Sequence, residues 1–106
     1  MDNIEEWLEE LKKADKLIIV EGKKDKQLLE KQGLTNIMTF SNTPHFKIEE
    51  IQEKEVIILT DLDAQGRKLF SILKHHLQKR GVKIDNRFRD FLFQTNVSHI
   101  EGIKFI

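Results

Sequence analysis

Apolar and polar positions alternate with changing period along the chain, and each change marks an element. Ile4, Trp7, Leu8 and Leu11 recur at i, i+3, i+4 and i+7, which predicts a helix over residues 2–13 with one apolar stripe. Asp2 or Asn3 can cap it, and early glutamates with Lys12 and Lys13 late suit its dipole. Residues 17–20, LIIV, form an unbroken apolar run of the kind found in a strand covered on both faces. The run ends in Glu21-Gly22, and a helical pattern follows from Lys24 to Gln32, with Leu28 and Leu29 inward and Gly33 where a helix commonly ends. Residues 36–40 predict a second strand, SNTPHF a turn, and residues 46–53 a short helix. Residues 55–60 predict a third strand.

From Ala64 to Arg80 the positions Leu69, Phe70, Ile72, Leu73 and Leu77 mark an apolar helical face, while Arg67, Lys68, Lys74, His75, Lys79 and Arg80 lie elsewhere on the cylinder. Gly81 ends that helix. Residues 82–84 predict a fourth strand, DNRFRDFLFQTN a short helix or irregular segment, and HIEGIKFI one or two short terminal strands. Strands alternating with helices imply right-handed βαβ units. The expected fold is therefore α/β: a compact three-layer, Rossmann-like arrangement, with a mainly parallel sheet of about four to five strands and helices on both faces. No internal repeat, linker or low-complexity stretch divides it, so residues 1–106 are expected to form a single domain.

Composition narrows the function. Cysteine is absent, which removes disulfides, thiolate metal sites and a Cys nucleophile and fits a reducing compartment. The N-terminal segment is acidic and amphipathic rather than signal-like, and no apolar run approaches the about 20 residues that span a bilayer. A soluble, cytoplasmic protein is expected, with no membrane partner. Net charge is zero, yet residues 1–63 carry 9 Lys/Arg against 15 Asp/Glu and residues 64–106 carry 9 against 3. That asymmetry can make one face attractive to phosphate; charged helix faces that simply keep a protein soluble are the plainer explanation.

The candidate chemistry lies at two strand ends. Ligands of such sheets bind beyond the carboxyl ends of the strands, where strand order reverses. Glu21 closes the first strand, and Asp61 and Asp63 close the third. If those strands are neighbours, the three carboxylates approach one point, an unfavourable gathering unless a cation joins them. Hard oxygen donors with room left for water and phosphate suit Mg2+ or Mn2+ better than zinc. Residues i and i+2 of an extended segment point to one side, so Asp61 and Asp63 can face an ion while Leu62 returns to the core. Taken singly, Asp63 is equally a helix N-cap, Asp61 a turn residue and Glu21 a solvated strand end.

LIIVEGKKDKQLL, followed about forty residues later by VIILTDLDAQGRKL, resembles the TOPRIM domain over residues 15–85. That family is shared by topoisomerases, bacterial-type primases, recombination-mediator proteins, overcoming-lysogenization-defect nucleases and the ribonuclease that matures small ribosomal RNA precursors. VEGKKD and TDLDAQG look nearest to the last of these and to small stand-alone TOPRIM proteins. The resemblance implies a Mg2+-dependent phosphoryl-transfer site, with Glu21 as general acid or base and Asp61 and Asp63 holding metal. A nucleic-acid backbone, RNA or DNA, is the implied partner. Lys23 matches the lysine of the family's E-G-K pattern; with Gly22, Gly66, Arg67 and Lys68 it forms the expected phosphate-binding set. Lys74, Lys79 and Arg80 either extend that track or are solvated.

Departures matter too. Gln65 and Arg67 stand where type IA topoisomerases carry further acids, which leaves a second metal in question. Tyrosine is absent, so the chain alone is no topoisomerase. His45, His75, His76 and His99 match no metal-binding spacing and are expected at surfaces or turns. Phe88, Phe91 and Phe93 are expected in the core, although aromatics can stack on bases, and Glu101 is a distant candidate for a fourth acid. The expected function is a small metal-dependent nuclease. Its alternatives are a TOPRIM module that binds nucleic acid or a protein partner without turnover, and one subunit of a complex whose other parts recognise substrate.

Overall fold

A computed structural model describes residues 1–40 and 48–105. Among these residues four helices and four strands follow one another along the chain: α1 (Ile4–Ala14), β1 (Leu17–Val20), α2 (Lys23–Lys31), β2 (Ile37–Thr39), β3 (Glu55–Leu59), α3 (Ala64–Lys79), β4 (Lys83–Ile84) and α4 (Arg87–Phe93). All strand pairs are parallel and the order is β2-β1-β3-β4. From β1 the chain crosses to β2 on one side; β3 then pairs on the other side of β1, so strand order reverses between β1 and β3. Their register sets Val20 beside Leu59, which brings Glu21 level with Thr60.

Alternation along the central strands builds two cores. Ile18, Val20, Ile57 and Leu59 pack on one face with Trp7 and Leu11 of α1, Leu29 of α2, and Phe88 and Leu92 of α4. Leu17, Ile19, Val56 and Ile58 pack on the other with Leu73 and Leu77 of α3 and with Ile51. These are the three expected layers, α1, α2 and α4 on one side of the sheet and α3 on the other. Trp7 ties the ends of the first layer, since its Nε1 donates to the Phe88 carbonyl at 2.8 Å and the rings meet edge to face.

Local chemistry closes each helix as its sequence suggests. Asn3 is the cap of α1, accepting from the Glu6 N–H. Gly33 and Gly81, just past α2 and α3, take φ of 96° and 80°, a conformation that costs glycine least.

Several expectations are corrected. The segment from Ser98 to Phe105 adds no strand; Ile100–Gly102 is a 3₁₀ turn, because Ile100 and Ile103, three residues apart, both drop into the α1/α2/α4 core. Ile48–Glu50 is a 3₁₀ turn within the expected short helix, while the SNTPHF turn lies outside the described residues. Ile72 is 44% exposed, because the buried stripe of α3 narrows to Gly66, Leu73 and Leu77, with Phe70 partly buried beside them. Arg80 is committed to structure: its guanidinium donates to the carbonyls of Ile48 and Glu49, the latter at 2.9 Å, and so holds the 3₁₀ turn against α3.

Candidate metal and phosphate site

The site forms where strand order reverses, the concave position that parallel sheets offer to ligands. Glu21 follows β1 and Asp61 follows β3, and the two meet: Glu21 Oε1 accepts from the Asp61 N–H at 3.1 Å. Leu62 turns inward to the core, as its alternation with the flanking acids requires. Its N–H donates to the Ser98 carbonyl at 2.7 Å, which brings residues 98–100 over the Asp-x-Asp segment. The Ile100 N–H then donates to Asp61 Oδ1 at 2.9 Å.

Asp63 serves two ends. Its Oδ1 caps α3 by accepting from the Gly66 N–H at 2.8 Å, and its Oδ2 lies 3.1 Å from His99 Nε2. Ligand atoms of Asp61, Asp63 and His99 all lie within 4.8 Å of one another. His99 joins the two aspartates as a donor that spacing did not suggest, while one oxygen of Glu21 accepts from the Asp61 backbone. His99 was invisible to spacing arguments because a turn 36 residues after Asp63, not a shared helix or strand, carries it there. Two carboxylates and one imidazole form a donor set that fits a small divalent cation, with coordination positions left for water and phosphate oxygen.

More acids surround this trio than the expected three. Asp25, on the first turn of α2, is buried and accepts from the Gly22 N–H at 3.3 Å. Burial first, then the charges of Asp61, Glu101 and Glu21, push its carboxyl up to about 6. Glu21 is likewise raised above the ordinary carboxylate range: burial is the main cause, Asp61 and Asp63 add to it, and the Asp61 N–H and Arg89 oppose it. Asp25 carried a readable signal, four residues from Glu21 on an otherwise exposed lysine-rich turn.

One cation lies beneath the acids. Arg89 of α4 is 2% exposed, and it donates to the Thr60 carbonyl and, at 2.9 Å, to the Asp61 carbonyl. It therefore fixes the backbone from which Asp61 projects.

The expected phosphate-binding residues divide by environment. Lys23, Arg67 and Lys68 are exposed on the opening turns of α2 and α3. Gly66 is buried and its N–H donates to Asp63; Gly22 caps α2 with its N–H turned to Asp25. Among the described residues no helix is long and apolar enough to cross a membrane.

Comparison with known proteins finds matches in sequence and in fold. The family model of the Toprim domain matches residues 15–86. The UPF0292 protein MJ1624 of Methanocaldococcus jannaschii is 38% identical over 106 residues, covering 93% of this chain and 83% of its own length. The UPF0292 protein PYRAB04740 of Pyrococcus abyssi is 37% identical over 100 residues, covering 92% of this chain and 76% of its own. A solved structure of a protein from Aquifex aeolicus superposes with a TM-score of 0.87 at 35% identity, over 97% of this chain and 100% of that one.

Proposed function

Because this chain belongs to the Toprim family, a metal-binding and nucleic-acid-associated fold, we propose that it is a small metal-dependent nuclease acting on RNA or DNA phosphodiesters. The observation that carries the reading is the meeting of Glu21 and Asp61, forty residues apart in sequence, at the point where strand order reverses.

Asp61 and Asp63 would hold a divalent ion, Mg2+ or Mn2+, with His99 as a third donor. Such an ion supplies positive charge opposite the phosphate oxygens and lowers the pKa of bound water. Glu21 stands beside the aspartates, and burial raises its carboxyl above the ordinary range, the direction that favours proton exchange with a sugar hydroxyl or water. Arg89 keeps the Asp61 backbone in place. Lys23, Arg67 and Lys68 flank the acids on two helix openings and would contact backbone phosphates without reading sequence.

The test is incubation of the purified chain with Mg2+ or Mn2+ and a panel of single-stranded, duplex and structured RNA and DNA. Cleavage is expected to require the metal and to fall by roughly 10²–10⁴-fold in Glu21→Gln, the range for loss of a general base. Asp61→Asn is expected to abolish it. Substrates left intact at saturating Mn2+ would refute the nuclease.

A second reading, nucleic-acid binding without turnover, is favoured by the backbone N–H groups that already occupy one oxygen of each aspartate. It predicts salt-sensitive binding that Asp61→Asn leaves unchanged.

A further inference from the structure

We propose that the groove between α3 and α4 is a subsite for one unpaired base of a nucleic-acid strand. The groove encloses about 310 Å³ between Arg67, Phe70 and Lys74 on one side and Asn86, Arg89 and Phe93 on the other. It rests on the nucleic-acid reading above, but not on cleavage.

Three observations point to a base. The first is aromatic surface: Phe93 is 50% exposed at the end of a helix in which Phe88 and Leu92 are fully buried and Phe91 is partly buried against the core. A half-exposed phenyl ring on a groove wall is a stacking platform for any base.

The second is unmet hydrogen bonding. Arg89 is 2% exposed, its guanidinium carbon lies 4.5 Å and 5.5 Å from the Phe70 and Phe93 ring centroids, and its Nη groups serve the Thr60 and Asp61 carbonyls. Its Nε has no partner among the described residues, and neither has Asn86 Oδ1. Both atoms are closed to solvent, and leaving a buried donor and a buried acceptor unpaired is costly; a base that draws the Arg89 and Asn86 side chains toward the groove pairs both. A base edge offers both an acceptor and a donor.

The third is the sign of charge. Arg67 and Lys74 belong to the α3 wall, and Lys74 Nζ lies 5.9 Å from the Phe70 ring centroid, so a phosphodiester backbone is drawn to this wall. Asp90, also lining the groove, repels a free phosphate or carboxylate, yet it accepts well from the amino group of a base. The combination selects a neutral base inside and an anionic backbone outside. Arg89 joins this groove to the Asp61 backbone, so a strand seated here would run on toward the acids.

The experiment uses the full chain in EDTA, so that metal plays no part, and a single-stranded oligonucleotide carrying one 2-aminopurine. Wild type is expected to quench the probe and to bind it roughly tenfold tighter than the same sequence in a duplex. Phe93→Ala should abolish the quenching and weaken single-strand binding by roughly tenfold. Ser71→Leu, which fills the groove from an exposed position on α3 without adding a stacking ring, should do the same with an unchanged circular dichroism spectrum. Lys74→Gln should weaken all strands alike and lower the salt slope by about 1. The subsite is overturned if Phe93→Ala and Ser71→Leu both bind and quench like wild type, or if wild type binds no single strand. Failure of the nuclease reading would appear separately, as binding and quenching with no cleavage in Mn2+.

Discussion

Gly66 approaches Asp61 so closely that a Cβ added to it would stand 1.9 Å from the Asp61 carbonyl oxygen and 2.4 Å from the carbonyl carbon. Both obstacles are backbone and neither can rotate aside. In an ordinary helix interior, Gly→Ala stabilises by about 1 kcal/mol. Here the sign reverses: Gly66→Ala is expected to destabilise by about 2–4 kcal/mol, as overpacking of a fixed contact does. Urea denaturation measures it, and an unchanged midpoint would mean that α3 can swing away from β3.

Arg89 is the counterpart of that contact on the opposite side of the sheet, bonding the Thr60 and Asp61 carbonyls from α4. Lysine keeps the charge but lacks the planar fork that reaches two carbonyls. Arg89→Lys is therefore expected to cost about 1–3 kcal/mol in a thermal or urea melt. Arg89→Gln removes a positive charge that draws Glu21 downward, so the Glu21 carboxyl should titrate higher still by carbon NMR.

Much of this architecture was legible because burial on both faces leaves LIIV and VIIL as unbroken apolar runs that no amphipathic helix would show. Glu21, Asp61 and Asp63 were legible as a group because strand ends are the places parallel sheets expose, and the β1–β3 pairing then does the rest. The terminal segment was misread because Ile100 and Ile103 look strand-like in a short β-rich string, and only the core they enter reveals a 3₁₀ turn. His99 and Arg89 were missed for a common reason. Each reaches the site through tertiary packing of an element whose own periodicity says nothing about acids elsewhere. Asp25 lay in plain view, but its burial depends on how α2 settles beside the turn at residues 100–102.

Asp25 gives a pH prediction. Its carboxyl is raised to about 6, so between about pH 4 and 6 the folded chain keeps a proton that the unfolded chain has released. Stability from this group is present at the acid end of that window and lost as pH rises through it. Asp25→Asn keeps an acceptor for the Gly22 N–H without the charge. It should be more stable than wild type by about 1 kcal/mol at pH 7, after allowance for solvent screening, with the difference vanishing near pH 4. Asp85 has the opposite sign, since Arg87 and Lys16 hold its carboxyl well below the ordinary range and its contribution disappears in acid. Urea midpoints across pH separate the two, and parallel profiles for wild type and Asp25→Asn would sink the assignment.

A divalent ion held by Asp61, Asp63 and His99 would take its preference from His99. Its Nδ1 lies 2.9 Å from Ser98 Oγ, and its Nε2 lies 3.1 Å from Asp63 Oδ2. A hydroxyl on one ring nitrogen can fix the tautomer and orient the other toward an ion, the support commonly seen behind metal-binding imidazoles. Nitrogen donors suit Mn2+ but are poor partners for Mg2+, which keeps oxygen and water. His99→Ala should therefore weaken Mn2+ binding by roughly tenfold or more, judged from the cost of losing a supporting ligand, and Mg2+ binding far less. Calorimetric titration of both ions tests the ratio, and pulsed electron paramagnetic resonance of the Mn2+ complex should show a nitrogen coupling that the variant lacks. If both ions weaken equally, or the coupling is absent in wild type, His99 is only an ion-pair partner of Asp63, and Asp61 and Asp63 bind metal without it. If Asp63→Asn leaves Mn2+ affinity intact as well, the ion does not sit at the end of β3, and the acids there need another account.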